Sequence, residues 1–179
     1  MNKRYLLAIV LASATLTARA GNQILYDFED NSEGWTSEWG AKQNPTNDTR
    51  FSKHGKGSLK VNHFFKKKDD TVGVRILFES PKDFTTIPGF AGFSAWIYFP
   101  GGNDWEAQVY THAGDDWKWC FGKLNQRLQP GWYQLIIKPE DISDPKQIRD
   151  IGIQIKNFKL NQDASFYVDR IEALYANGK

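Results

Sequence analysis

The 179-residue chain has one cysteine, Cys120, and so cannot form an internal disulfide. Its three histidines and that cysteine show none of the usual zinc-ligand spacings. Beyond the first 20 residues, no stretch is apolar and long enough to span a bilayer. No segment keeps a long 3.6-residue apolar period, which argues against a helical domain. A P-loop, a dinucleotide fingerprint and a nucleophile elbow are all missing. There is no internal repeat, low-complexity tract or dividing linker.

The first 20 residues, MNKRYLLAIVLASATLTARA, place Lys3 and Arg4 before a short apolar run and end in Ala18-Arg19-Ala20. That is the pattern of a secretory signal peptide, which leaves residues 21–179 as a single domain. No lipoprotein cysteine stands at the cleavage site, since the one cysteine is Cys120, so the expected destination is secreted or periplasmic, without a lipid anchor. Removing Lys3, Arg4 and Arg19 takes the 23 basic residues to 20 (23 − 3) against 21 acidic ones, a net of −1. Net charge then gives no support to a nucleic-acid or membrane partner. Lys66 to Asp70, KKKDD, reads as a solvated loop or an edge guard.

What is present is short alternating runs separated by Gly and Pro. Strands are expected at Ile24–Glu29, Ser58–Phe64, Val72–Phe78, Phe93–Phe99, Trp132–Lys138, Ile148–Ile155 and Ser165–Leu174, with one helical turn within 139–146. Val72, Val74, Ile76 and Phe78 face one way, and Ile151, Ile153 and Ile155 do the same. About nine such strands predict an all-β fold, an antiparallel β-sandwich or jelly roll.

Seven Trp and 12 Phe can supply the apolar area of a core, and seven Trp is above ordinary usage, an excess that needs a use. Trp105 to Phe121, WEAQVYTHAGDDWKWCF, reads as a hairpin turning at Ala113-Gly114-Asp115-Asp116. A register centred between Gly114 and Asp115 sets Tyr110 opposite Trp119, His112 opposite Trp117 and Gln108 opposite Phe121. Glu106, Gln108, Tyr110, His112, Trp117, Trp119 and Phe121 then share one face. Ala107, Val109, Thr111 and Cys120 share the other. The first face suggests a ligand platform and the second a core contact; a one-residue slip would exchange the faces of one strand. Trp96, Trp105 and Trp132 are expected in the core, and His54 and His63 at the surface or in loops.

Seven segments occur in a telling order: LYDFEDNSEGW, FSKHGKGSLKV, FSAWIYFPGG, the W-K-W hairpin, LQPGWYQLII, IRDIGIQI and FYVDRIEAL. Together they resemble the galactose-binding-like β-sandwich carbohydrate-binding modules of bacterial polysaccharide-degrading enzymes, most like those on mannanases. The resemblance runs from about Ile24 to Tyr175. Such modules are commonly attached to a catalytic domain, and no segment here reads as one. The resemblance implies non-catalytic binding of a polysaccharide or oligosaccharide by a monomer, beside a separate glycan-degrading enzyme. Mannan or glucomannan is favoured, then β-glucan or xylan. A pyranose offers apolar C–H faces edged by hydroxyls, which suits rings flanked by amides and charges. Trp119, Trp117 and Tyr110 are the candidate platforms; Gln108, Glu106, Arg75, Gln154 and His112 are the candidate hydroxyl partners.

The resemblance also implies a structural calcium. Glu29 and Asp169 would supply carboxylates, the SKHGKGS loop carbonyls near Lys53 and Lys56, and Ser58 its hydroxyl. The rival readings are a jelly-roll polysaccharide lyase using Tyr110, His112 and Arg75, a hydrolase, and an extracellular adhesion module.

Overall fold

The structure, a computed structural model, describes residues 21–39, 44–67, 69–99, 105–123, 125–126, 129–158 and 162–176. The expected signal peptide, residues 1–20, lies outside the described residues. The first half forms strands β1 (Gln23–Tyr26), β2 (Thr36–Ser37), β3 (Thr46–Asp48), β4 (Ser58–Phe65), β5 (Asp70–Lys82) and β6 (Phe90–Phe99), with apolar–polar alternation clearest in β4 and β5. The second half adds β7 (Trp105–Ala113), β8 (Lys118–Phe121), β9 (Asn125–Gln126), β10 (Gly131–Ile137), β11 (Ile148–Asn157) and β12 (Gln162–Tyr175). A single 3₁₀ turn, Pro139–Asp141, is the helical turn expected there.

All pairings are antiparallel and form two sheets. Sheet A runs β10-β6-β12-β4-β3, with β1 also on β12; sheet B runs β2-β5-β11-β7-β8, with β9 on β7. The inward set of each strand meets the other sheet. Val72, Val74, Val109, Ile151, Ile153 and Ile155 of sheet B and Leu59, Val61, Ile97, Phe166 and Val168 of sheet A are buried in one core. Burying each such side chain contributes ~1.5–3 kcal/mol, which is how a chain without disulfides holds its sheets together. Trp105 lies in this core at 2% exposure, stacked 5.7 Å from Phe99. Cys120 is buried too, its Sγ accepting the Ser143 N–H at 3.3 Å.

Trp96 and Trp132 do not follow the expectation. Both are half-buried on the outward face of sheet A, because Phe93, Ala95 and Ile97 take the inward positions of β6, and Leu135 and Ile137 those of β10. Nearly every residue of β6 is apolar, so alternation in the sequence could not assign its faces. His63 lies on β4, within the expected strand, but is half-buried instead of at the surface: it sits edge-on to Phe65 with centroids 4.5 Å apart, and burial pushes its pKa down. β1 is shorter than expected. It stops at Tyr26, and Phe28 adopts a left-handed φ of 57° that turns Glu29 away from the strand line.

Candidate functional site

The hairpin places the aromatic face. Its strands pair Tyr110 with Phe121, His112 with Trp119 and Ala113 with Lys118, which corrects the expected register by two residues. The turn holds four residues, Gly114 to Trp117, closed by the Trp117 N–H on the Gly114 carbonyl at 3.4 Å. Gly114 has φ 76° and Trp117 φ 53°. An even shift keeps parity, so Tyr110, His112, Trp119 and Phe121 still share the outward face of sheet B. Trp117 leaves the strand for the turn instead of facing His112 within the ladder. It is 43% exposed, with the Arg149 guanidinium 5.0 Å above its ring. Arg149 in turn pairs with Asp115 at 2.7 Å, which steadies the hairpin tip.

Two glycines form the floor. In one cross-strand row Arg75 faces Gly152, which faces Tyr110. A Cβ at Gly152 would overlap the Tyr110 ring, so only glycine lets that ring lie flat across β11. Gly73 does the same for Trp39, whose indole occupies the space a Cβ would need. The Glu38 N–H donates to the Gly73 carbonyl at 2.9 Å, and the Gly73 N–H to the Trp39 carbonyl at 3.3 Å. The rings then stack. Tyr110 and Trp119 are 4.3 Å apart at 17°, Trp39 is 5.2 Å from each, and Trp119 lies 6.4 Å from Phe121.

Beside the rings runs a charged network. Arg75 binds Glu38 at 2.8 Å and Asp150 at 2.9 Å through one nitrogen. Asp150, with no exposed surface, also accepts the His112 main-chain N–H at 2.6 Å and meets His112 Nδ1 at 2.7 Å. Tyr110 donates its hydroxyl to Glu38. Burial, and then the bond to Glu38, push the Tyr110 phenol well above its ordinary pKa. Further along the face, Gln108 donates to Gln154 at 2.6 Å, while Gln108 Oε1 is buried without a partner. Glu106, Ala107 and Lys156 surround this pair.

The geometry thus brings together Tyr110, Trp119, His112, Arg75, Gln108, Glu106 and Gln154, with Trp117 at the rim. It adds Glu38, Trp39 and Asp150, which the sequence reading did not select. Asp150 had a signal, an acid on the polar side of an isoleucine strand. Trp39 and Glu38 sit in a polar, turn-rich stretch with no periodicity to point them at the sheet.

Tyr110, His112 and Arg75 do meet, as a lyase would require. The phenol, however, is fully buried, held protonated and committed to Glu38, which is poor chemistry for a general base. Glu38 and Asp150 share one guanidinium, so neither is free as a hydrolase carboxylate. Glu38, His112 and Asp150 also offer three ligand-type atoms within 4.8 Å of one another, but the Arg75 cation bridges the two acids.

A second polar centre lies where β1 and β4 meet along the same edge of β12. β4 pairs with 162–168 and β1 with 171–173, leaving Asp169 between them. Asp169 is buried, and burial raises its pKa. Its Oδ2 accepts the Lys53 and His54 N–H groups at 2.7 and 2.8 Å, while Oδ1 has no hydrogen-bond partner. Glu29 accepts the Lys56 N–H at 2.8–2.9 Å. Lys53 and Lys56 therefore meet the carboxylates through amides, and Ser58 donates its hydroxyl to the Phe51 carbonyl. Two carboxylates on one loop with an unsatisfied buried oxygen suit a hard cation; the amides facing them do not.

A family model described as mannanase, galactose-binding domain-like, matches residues 26–170. The chain belongs to that family. Its fold is shared with carbohydrate-binding modules of low sequence identity. The Caldicellulosiruptor saccharolyticus module CBM27-1, in complex with mannohexaose, superposes with a TM-score of 0.69 at 15% identity, covering 89% of this chain and all (100%) of that one. The family 11 module of Clostridium thermocellum with a β-1,3-1,4-mixed-linked tetrasaccharide gives 0.58 at 15%, over 90% and 100%. A carbohydrate-binding module of the β-sandwich superfamily described as promiscuous in specificity gives 0.65 at 21%, over 84% of this chain and 61% of that one. This chain thus spans about three-fifths of that protein's length. No match was found among curated proteins.

Proposed function

We propose that this protein binds a polysaccharide without cleaving it, through the outward face of sheet B. The observation that carries the reading is the partly exposed pair Trp39 and Trp119 beside a polar network, on a face where Trp117 and Phe121 are 43% and 50% exposed; Tyr110, expected as a platform, has no exposed surface and instead supports these rings from beneath. Stacked rings take the C–H faces of a pyranose, and Gln108, Gln154, Glu106 and His112 take its hydroxyls. The ligand is a β-linked plant glycan, mannan or glucomannan first and β-glucan or xylan next. The mannanase-related family and the mannohexaose complex of a structural neighbour support that order. The protein is exported and works beside a separate glycan-degrading enzyme.

A calcium ion belongs to this reading. Asp169, through its unpartnered Oδ1, and Glu29 would hold it. Bound there, it would supply a cross-link between β1, the loop and β12.

Native gels cast with mannan, glucomannan, xylan, β-glucan or alginate test the function. Retardation by one neutral glycan, with no new reducing ends and no new ultraviolet absorbance, is the expected result. Product release would instead establish a hydrolase or lyase, and silence across the panel would favour an adhesion module.

A further inference from the structure

The two sheets part along one side, between β1 of sheet A and the late half of β5 of sheet B. Both strands are bulged there. Ile24 pairs with Glu172 and Tyr26 with Ile171, so Leu25 is an extra residue and successive side chains turn the same way. On β5, Leu77 pairs with Asp150 and Lys82 with Ile148, so β5 makes the longer step and bows outward. Between them lies a cleft of about 390 Å³ lined by Tyr26, Phe78, Phe84 and Tyr175, with Lys82 and Thr86 at its rim. Bulges alone are explained by edge protection. A ring-lined hollow of ligand size beside them is not.

We propose that this cleft is a second saccharide site, taking the terminal one or two units of a neutral glycan; the proposal rests on the reading that the protein binds glycans. The volume lies at the low end for ligand pockets, which suits a short ligand better than a running chain. Four aromatic rings offer surfaces for C–H faces. Burial raises the pKa of the Tyr26 and Tyr175 phenols, so their hydroxyls remain donors at neutral pH. Lys82 and Asp83 put one charge of each sign at the rim, which gives no preference for a uronate. The site is distinct from the hairpin face. None of its lining residues belongs to β7, β8 or β11.

Nitrogen-edited NMR of the labelled protein tests it, with methyl glycosides of mannose, glucose, xylose and galactose as probes, then the matching hexaoses. One glycoside should shift resonances of residues 23–26 and 82–87 and leave the hairpin unmoved. The response should persist in Trp119→Ala, which removes the polymer-binding face. It should weaken at least tenfold in Thr86→Trp, an exposed rim position. Absence of shifts in the cleft at saturating glycoside, or shifts undiminished in Thr86→Trp, overturns the second site while polymer retardation still stands. If no polymer retards the native protein, the reading beneath the proposal fails instead.

Discussion

The outward faces of the two sheets carry similar residues and meet different fates. On sheet A, β10, β6 and β12 align Trp132, Tyr98 and Tyr167 in one cross-strand row. The 50–57 loop lies over it. Phe51 packs 5.1 Å from Tyr98 and 4.7 Å from Tyr167, and the Lys53 ammonium sits 4.5 Å above Trp96. On sheet B, Trp39 is part of the floor, and Trp117 and Phe121 stay open to solvent. Ring content therefore does not distinguish the two faces; what lies over the rings does. The covered face acts as a small second core that anchors the loop, and the open face keeps its rings available for a ligand.

Asp150→Ala should produce the largest effect on stability. It strips His112 and Arg75 of a fully buried acid, and breaking such a pair costs ~3–5 kcal/mol. Thermal denaturation should show a fall of roughly 10 °C at this domain size. A change within 2 °C would mean the network contributes nothing beneath the open face.

Trp119→Ala and Phe51→Ala divide the two faces. The first should weaken retardation by the preferred glycan by about thirtyfold, as loss of a hot-spot residue does, with the melting temperature held within a few degrees. The second should cost ~1–3 kcal/mol of stability and leave retardation unchanged, because a half-buried ring loses less than a fully buried one. The opposite pattern would exchange the roles of the faces.

Chelation should act on sheet A's side alone. With calcium, the melting temperature is expected to be clearly higher than in a chelator, and Asp169→Asn should abolish the difference. Identical melting after thorough chelation rules out a stabilising ion. Without the ion, the raised pKa of Asp169 means the native state holds its proton longer than the unfolded chain. Its contribution therefore falls as pH rises from about 4 through that raised value.

The smallest effect is at Asp48. Hydrogen bonding to Arg50 is the main cause holding its carboxyl down to about 2. A depressed pKa stabilises above the unfolded value of ~3.9 and is lost as pH falls from there through about 2. Arg50→Ala should flatten the acid limb of a stability–pH curve over that window by slightly lowering the plateau above it, while stability below about pH 2 stays unchanged; an unaltered limb would remove the pair from the account.

Much of this was legible in the chain. Strict alternation in β5 and β11 assigned Val72, Val74, Ile151, Ile153 and Ile155 to the core, because side-chain direction in a strand has a period of two. The same period put Tyr110, His112, Trp119 and Phe121 on one face, and that survived a four-residue turn placed one position later than expected, since the resulting two-residue register shift preserves parity. Trp96 and Trp132 were beyond its reach: a strand apolar on both sides carries no record of which side faces in. Local sequence thus determined the strands, the hairpin and the polarity of its two faces. Only the tertiary structure decided that Trp39 would lie on Gly73, that Tyr110 would cross Gly152 and that the 50–57 loop would cover one aromatic row and not the other. Those contacts join residues far apart in the chain, so they depend on how the sheets bring separate segments together and not on any local preference.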